Sequence, residues 1–391
     1  MNKILPLENP VMNYAWGSTT FIPALLGDST PSFEPQAELW MGAHPKAPSR
    51  VGDLTLIDVI AEDPVGMLGA TTAARFQNRL PFLFKLLAAE APLSIQAHPT
   101  KAQAEAGFAA ENAAGLALDA PNRNYRDDNH KPEILCALSE FWALNGFRKI
   151  PKILELLDEA GLSTIAGEAD SLRASPTRDG LRRFFQSMVE LKNPRRQTVL
   201  DELLARASKL EATRVEYPWI LRISDLYPGD VGVLGVLLLN LVKLDPGQAM
   251  YAAAGNLHAY LDGFGIELMA NSDNVLRGGL TPKHVDIPEL IKTLTFNDGD
   301  VEVLEAANGR FSTTVEEFVL SVIEVDGPKV EMKNSGFEIL INVGGDASVS
   351  HPGAGETMRI PQGASIAIPA SIGEYWLSGS ATLYVAGIPN T

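Results

Sequence analysis

The chain has 391 residues, which predicts two or three domains at about 100–200 residues each. Hydrophobic residues make up 46% and charged residues 20%, a composition that excludes disordered and fibrous proteins. With 32 basic and 48 acidic residues, the net charge is −16, so nucleic acid and anionic membrane surfaces are unfavourable partners. Any anionic ligand must therefore be bound by a local group of basic side chains.

The N-terminal segment lacks the continuous apolar stretch of a signal peptide, and Glu8 lies early in it. The most hydrophobic segment, Val231–Val242, is interrupted by Asn240 and is shorter than the roughly 20 residues that a membrane helix needs. The single cysteine, Cys136, excludes an intrachain disulfide and lies in an apolar run, where a small core residue is expected. These features predict a soluble, cytoplasmic protein.

In chain order, the segment up to about Arg148 alternates short apolar runs with Gly, Pro, Asn and Asp, which is typical of a β-rich region. From about Ile150 to Leu226 the apolar residues recur at helical spacing, which predicts a helical insertion. The strand pattern returns after Gly229 and continues to the C-terminus, with an interruption near residues 282–294. The regular turn signals of the last hundred or so residues favour a β-sandwich or jelly roll.

A weak internal repeat links two parts of this β-rich region. The segment from Pro246 to Tyr260 can be aligned with the segment from Pro361 to Trp376, and a turn followed by two short strands accounts for both. This repeat favours two related β-barrels. The second copy has Glu374 where the first has His258, so we predict that the second barrel binds no metal.

Three polar residues alternate along one short predicted strand. Ser94, Gln96 and His98 lie at every second position, which places them on one strand face. The pattern alone leaves both a polar strand face and a metal site open. Immediately afterwards, Thr100 and Gln103 have the spacing of a capping box and predict the start of a helix.

Two further segments carry candidate ligands. Glu133 is the last charge before an apolar run and needs a compensating cation, for which Lys131 is the simplest partner. His258 enters a predicted strand, where it is either a core histidine or a ligand. Taken together, two imidazoles, one carboxylate and one amide oxygen suit a divalent first-row metal, most commonly zinc; these are His98, His258, Glu133 and Gln96.

These residues belong to five ordered motifs, and through them the chain resembles the type I phosphomannose isomerases, zinc enzymes of the cupin superfamily. The motifs are Tyr14–Ser18, Glu38–Pro45, Ser94–Pro99, Asn129–Glu133 and Gly255–Lys283. The resemblance covers most of the chain outside the helical insertion and the last strands.

The resemblance implies a fold that is mainly β with a helical insertion: two cupin-type jelly-roll β-barrels plus an α-helical domain. Residues 1–148 and 230–288 would form a discontinuous catalytic cupin domain. Residues 149–229 would form the helical insertion domain. Residues 289–391 would form a C-terminal cupin-like β-barrel without metal.

The resemblance also implies one zinc ion per chain, held by Gln96, His98, Glu133 and His258. It places four residues in catalytic positions, with Arg277 acting in the isomerisation and Lys131 most often cast as the acid/base group: Arg277, Lys131, Glu267 and His98. It further implies contacts with the substrate, including its phosphate, and a residue at the mouth of the pocket; these are Lys85, Ser94, Tyr260, Lys283 and Trp16.

The reaction implied is an aldose–ketose isomerisation between mannose 6-phosphate and fructose 6-phosphate, by zinc-dependent proton transfer through a cis-enediol(ate). The proton moves between two adjacent carbons, so a base must be close and the developing oxygen charge must be stabilised. Arg277 keeps its charge at working pH and suits the second task. A lysine accepts a proton only where burial and nearby cations favour its neutral form, so the choice between Lys131, slightly favoured, and Glu267 stays open.

Two other functions are compatible with the same residues. Two histidines and a carboxylate also form the iron site of oxygenases, but a fourth ligand, Gln96, and clustered basic side chains argue against it. A cupin module that only binds sugar is the non-enzyme alternative. The expected partner is a small phosphosugar, with no nucleic acid, membrane or obligate protein partner, and we expect a monomer.

Overall fold

The computed structural model describes residues 3–334, 336–353 and 357–389. The first part of the chain contains strands and short helices in this order: β1 (Leu5–Leu7), β2 (Val11–Met12), α1 (Phe21–Leu25), β3 (Glu38–Gly42), β4 (Arg50–Val51), β5 (Leu54–Thr55), α2 (Leu56–Glu62), α3 (Pro64–Leu68), α4 (Ala70–Arg75), β6 (Phe82–Ala89), β7 (Ile95–Ala97), α5 (Lys101–Ala113), β8 (Glu133–Ala137) and β9 (Phe141–Phe147).

Helices then follow one another, as the apolar spacing predicts: α6 (Ile150–Ala160), α7 (Ala166–Ala174), α8 (Arg178–Val189), α9 (Arg195–Leu210), α10 (Glu216–Leu226) and α11 (Gly235–Leu238), with 3-10 turns at Ser163–Ile165 and Val231–Leu234. The rest of the chain returns to strands: β10 (Leu239–Leu244), β11 (Ala249–Ala252), β12 (His258–Ala270), β13 (Leu276–Gly279), α12 (Ile287–Thr293), β14 (Val319–Lys333), β15 (Glu338–Ser350), β16 (Met358–Ile360), β17 (Ser365–Ile368) and β18 (Glu374–Gly387), with a 3-10 turn at Ala370–Ile372.

The strands form two large sheets and a small β4–β5 pair. In the first sheet the order is β10-β9-β12-β6-β3-β2, and β7, β8, β11 and β13 also pair within it. In the second the order is β1-β17-β15-β18-β14, with β16 paired to β15. The prediction of a mainly β protein with a helical segment is therefore confirmed. The first strand, β1, is hydrogen-bonded to β17 of the C-terminal sheet, although its residues were assigned to the catalytic part of the chain.

The helices form where local sequence favours them. Thr100 is the N-cap of α5 and forms the predicted capping box. Its hydroxyl accepts from the backbone N–H of Gln103 at 3.3 Å, and Gln103 Oε1 accepts from the backbone N–H of Thr100 at 2.9 Å. In α8 the residues Leu181, Phe184 and Met188 form a buried stripe. None of the helices within the described residues has the length and apolar character needed to cross a membrane.

Two hydrophobic cores hold these layers together. One joins the helical segment to the first sheet, with Leu144 of β9 packed in the same cluster as Phe185 and Leu203. The other lies between the two sheets and contains Phe84 of β6 together with Ile341 of β15. Both cores pack against one face of the first sheet, and polar residues that alternate with these core residues along its strands face a pocket on the other.

Candidate metal centre and active-site pocket

A pocket of about 280 Å³ opens on the first sheet. Ten of the predicted site residues line it, because they come from strands and loops that pair in this sheet: Trp16, Lys85, Ser94, Gln96, Lys131, Glu133, Tyr260, Glu267, Arg277 and Lys283. The two remaining ones, His98 and His258, are completely buried beside Glu133. The structure thus brings all the predicted site residues into one region.

Strand register explains this convergence. Gln96 of β7 lies opposite His258 of β12 and opposite Arg277 of β13. Residues directly opposite each other in antiparallel strands project to the same face. On β12, Glu267 lies opposite Lys85 of β6, so these two side chains also share a face. The pocket is therefore built from neighbours across strands that are distant in sequence.

His98, Glu133 and His258 form a buried group whose ligand atoms all lie within 4.8 Å of one another. Glu133 Oε1 lies 3.4 Å from His98 Nε2, and Glu133 Oε2 lies 3.2 Å from His258 Nε2. The His98 Nδ1 is 2.7 Å from the carbonyl of Asn274, and the His258 Nδ1 is 3.1 Å from that of Asn256. With each Nδ1–H donated to a carbonyl, both Nε2 lone pairs face the carboxylate.

These residues fit a divalent first-row metal ion. The buried His98 Nε2 has no hydrogen-bond partner among the described residues, which is costly unless a ligand occupies the position that it faces. Burial lowers the pKa of His98 to about 4, against the opposing effect of Glu133, so its ring is neutral at pH 7. Two imidazoles and one carboxylate are a donor set that such a metal prefers. Gln96 lines the pocket beside this group.

Lys131 is an ion-pair partner of Glu133, since its Nζ lies 2.8 Å from Glu133 Oε1. Burial alone would raise the pKa of Glu133, but the charge of Lys131 and the contacts with the two histidines hold it well below the ordinary value. Glu133 is therefore anionic in the folded protein. The partner expected from the sequence is thus present, in addition to the histidines.

A second ion-paired group faces the pocket. The Lys85 Nζ lies 2.8 Å from Glu267 Oε2, 3.5 Å from Glu38 Oε1 and 5.3 Å from the centre of the Trp40 ring. Burial opposes the charged form of Lys85, but the two carboxylates outweigh it and raise its pKa. Burial also raises the pKa of Glu267, against the opposing effect of Lys85. The charge of Lys85 is thus matched within the protein.

Two cations at the pocket wall, Arg277 and Lys283, have no carboxylate partner among the described residues. The guanidinium of Arg277 and the ammonium of Lys283 make no hydrogen bond or ion pair with the described residues. Burial, and then the charge of Arg126, lowers the pKa of Arg277. Burial, followed by Arg277, Arg126 and Lys46, lowers the pKa of Lys283. These mutually repelling charges make this side of the pocket suitable for an anionic group.

The remaining predicted residues shape the pocket. Tyr260 is buried, and burial, followed by the nearby charges of Glu267 and Glu133, raises its pKa well above 10, so its hydroxyl stays protonated. Trp16 stacks on the exposed Tyr14 with ring centres 5.7 Å apart. The resemblance implies a position for Trp16 at the mouth of the pocket, and in the structure Trp16 is one of the residues that line it.

Several pocket residues were not singled out from the sequence. Glu38 begins a motif that was recognised, but its contact with Lys85 depends on the pairing of β3 with β6. Tyr227 follows helix α10 and reaches the pocket because its hydroxyl donates to the carbonyl of Pro92 at 2.6 Å. The other additions are Leu87, Leu93, Leu280, Thr281 and Pro282. Glu38 is a charge at the start of the apolar run Leu39–Met41, the same local signal that marked Glu133, and this could have identified it.

The antiparallel sheet, the buried His-Glu-His group and the cationic pocket are features of a cupin-type protein with a candidate metal centre. Among family models, "Phosphomannose isomerase type I, catalytic domain" matches residues 4–150, and "Mannose-6-phosphate isomerase, cupin domain" matches residues 307–387. The chain belongs to the type I phosphomannose isomerase family, as the resemblance implied.

Individual relatives agree with the family models. The mannose-6-phosphate isomerase of Escherichia coli K12 is 44% identical, with 88% of this chain and 89% of that protein covered. The human mannose-6-phosphate isomerase is 33% identical, with 94% of each chain covered. A solved structure of the Salmonella typhimurium mannose 6-phosphate isomerase, bound to fructose 6-phosphate and zinc, is 38% identical. It has a TM-score of 0.91 and covers 99% of this chain and 100% of its own.

Proposed function

We propose that this chain is an aldose–ketose isomerase that interconverts mannose 6-phosphate and fructose 6-phosphate with one zinc ion per chain. The observation that carries the proposal is a buried His-Glu-His group beside the unmatched charge of Arg277 in one pocket. A family relative binds fructose 6-phosphate and zinc in a structure that superimposes on this chain with a TM-score of 0.91.

His98, Glu133 and His258 hold the metal, and Gln96 is the proposed fourth ligand because it lines the pocket opposite His258. Bound zinc supplies a Lewis acid that polarises substrate oxygens. A separate catalytic role for His98, beyond ligation, stays a prediction.

In the direction from aldose to ketose, a proton leaves C2 and a proton is delivered to C1. Lys131 is the group that we propose for this transfer, because its Nζ lines the pocket 2.8 Å from Glu133, where the charge of a metal ion held by Glu133 would act on it. Glu267 is the alternative, and one of its carboxylate oxygens is already engaged by Lys85. Arg277 points a permanent charge at the pocket and stabilises the enediolate oxygens. Tyr260 offers a protonated hydroxyl as a further donor.

We propose that the substrate phosphate binds on the cationic side of the pocket, near Arg277 and Lys283. Lys283 and Ser94 are the proposed contacts, and Arg126 adds positive charge to the same side. Lys85 was predicted to contact substrate, and its pairing with Glu267 favours an additional role in orienting that carboxylate. Trp16 covers the sugar at the mouth of the pocket.

For the fold, we propose that each sheet curls into a cupin jelly-roll barrel, as the cupin-domain match to residues 307–387 supports for the second. The domain division at residues 148/149, 229/230 and 288/289 belongs to the same proposal. A C-terminal barrel without metal, a monomeric state and a cytoplasmic location stay predictions.

The test is turnover of mannose 6-phosphate by the purified protein, with zinc content determined on the same sample. We expect fructose 6-phosphate as the product, loss of activity with a strong chelator, and recovery when zinc is added back. Activity that survives complete metal removal would contradict the zinc assignment. Oxygen consumption without isomerisation would support the oxygenase alternative, and sugar binding without turnover would support a binding module.

A further inference from the structure

The link between strands β12 and β13 passes directly behind the metal group. Asn274, in this link, is completely buried, and its side chain makes contacts to a loop that lies about 150 positions earlier in sequence. Its Oδ1 accepts from the amides of Arg126 at 2.7 Å and Asp127 at 3.3 Å. Its Nδ2 donates to the carbonyls of Asp127 and Asn129, both at 2.8 Å, and lies 3.1 Å from Asp127 Oδ1. One amide therefore clamps the backbone of the 126–129 loop.

The backbone of the same residue orients a metal ligand. The carbonyl of Asn274 accepts from His98 Nδ1 at 2.7 Å. This hydrogen bond selects the tautomer whose Nε2 lone pair is free and fixes the direction in which the ring points. Movement of the Asn274 carbonyl would therefore change the orientation of the His98 ring relative to Glu133.

The 126–129 loop, which the Asn274 side chain holds, leads directly to Glu133, a second residue of the metal group. Two residues after Asn129 comes Lys131, and two residues later comes Glu133. Asn274 thus contacts His98 through its carbonyl and the approach to Glu133 through its side chain. Asp127 reinforces the contact, because its Oδ2 accepts from the Asp273 amide at 2.7 Å.

We propose that Asn274 is a positioning residue that sets the separation of His98 and Glu133 and thereby the affinity of the centre for its metal. The proposal rests on the metal site of the proposed function. A buried amide with this many partners also stabilises the fold, so the test must separate metal geometry from stability. Two substitutions at the same position allow this separation.

Asn274→Ala removes the clamp. Asn274→Asp keeps the shape and the acceptor oxygen but loses the donor, and it places a carboxylate against the Asp127 carboxylate and two carbonyl oxygens. The matched control is Asn271→Ala in the same link. The side-chain Nδ2 of Asn271 donates to the carbonyl of Leu80 at 3.3 Å. Its contact with the 126–129 loop, from Asn129 Nδ2 at 3.1 Å, is made to the backbone carbonyl, which the substitution keeps.

The zinc-loaded full-length proteins are titrated with a chromogenic chelator to obtain the zinc dissociation constant. The cobalt-substituted proteins are compared by visible absorption, and thermal unfolding is measured in parallel. We expect both Asn274 variants to bind zinc about 10- to 100-fold more weakly, with an altered cobalt spectrum, and Asn271→Ala to match the wild type in both. Should the Ala variant not fold, the isosteric Asp variant gives the same readings.

Asn274 variants with wild-type zinc affinity and an unchanged cobalt spectrum would overturn the inference, even if their unfolding temperatures fell. A wild-type protein without affinity for zinc would overturn the proposed metal site and the inference with it. The two failures are therefore distinguishable.

Discussion

At the scale of single residues, Arg277 is the clearest case of a charge that folding alone does not explain. It is partly buried and has no acidic partner among the described residues, so no ion pair within them offsets the free-energy cost of its desolvation. Lys85, buried deeper, has two carboxylate partners. The contrast indicates that Arg277 meets its partner when an anionic substrate enters.

Arg277→Ala should lower kcat by about 10²-fold or more, because it removes charge stabilisation that matters most in the transition state. The zinc content should stay at the wild-type value, since Arg277 is not part of the His98–Glu133–His258 group. The measurement is steady-state turnover of mannose 6-phosphate together with metal analysis of each preparation.

The control is Lys283→Ala, which removes a neighbouring exposed cation from the same pocket. It should raise KM more than it lowers kcat, as expected for a contact made equally in the ground and transition states. Near-normal kcat in Arg277→Ala would instead assign the stabilisation of the enediolate to the metal.

The same scale shows where sequence reasoning reached its limit. The alternation of Ser94, Gln96 and His98 is local, and it predicts that the three residues share one strand face. In the structure Ser94 and Gln96 line the pocket. The pairing of Lys85 with Glu267 joins residues 182 positions apart and depends on the register of β6 and β12. Periodicity carries no information on such register, so the pairing could not be predicted.

At the scale of elements, helices were predictable because their signals are local. The capping box at Thr100 and the apolar stripe of α8 both follow from spacing within one turn or two. Strand partners were not predictable in this way. β1 pairs with β17 at the far end of the chain, and only tertiary packing decides that neighbour.

The first residue of strand β15, Glu338, gives an element-scale prediction about pH. The Tyr375 hydroxyl donates to Glu338 Oε2 at 2.8 Å, but no cation pairs with this carboxylate among the described residues. Burial raises its pKa from 4.5 to about 7. Between these two pH values the folded state binds more protons than the unfolded state, so the free energy of unfolding falls as pH rises.

Glu338→Gln keeps an acceptor for the Tyr375 hydroxyl and removes the free-energy cost of ionising a buried carboxyl group. The variant should be more stable than the wild type by about 3 kcal/mol well above pH 7, and the difference should vanish as pH falls toward 4.5. Urea unfolding across this pH range measures it. Glu324→Gln, at an exposed position on β14, is the control and should change stability by less than about 0.5 kcal/mol throughout. A pH-independent effect of Glu338→Gln would contradict the assignment.

At the scale of the whole molecule, the two sheets share one hydrophobic core. Phe84 and Ile266 of the first sheet belong to the same buried cluster as Ile341 and Tyr384 of the second. The Tyr384 hydroxyl is also 3.5 Å from the Cys136 sulfur of β8, so polar and apolar contacts cross the same boundary. The sheet that carries the pocket is therefore supported by the sheet that does not.

Because the two sheets share this core, we predict that a destabilising substitution in the second sheet also promotes release of the metal from the first. Ile341 is completely buried, and Ile341→Ala should lower the free energy of unfolding by about 2–5 kcal/mol through the cavity that it leaves. Because the cluster joins both sheets, urea should unfold them in one transition. Zinc release, followed with a chromogenic chelator, should then coincide with the loss of circular dichroism in the wild type and in the variant.

The control, Ile57→Ala, makes the same substitution at a 37% exposed position. It should leave the urea midpoints of zinc release and of unfolding nearly unchanged. Two separated transitions, with zinc retained after the first, would mean that the sheets fold independently despite their common core.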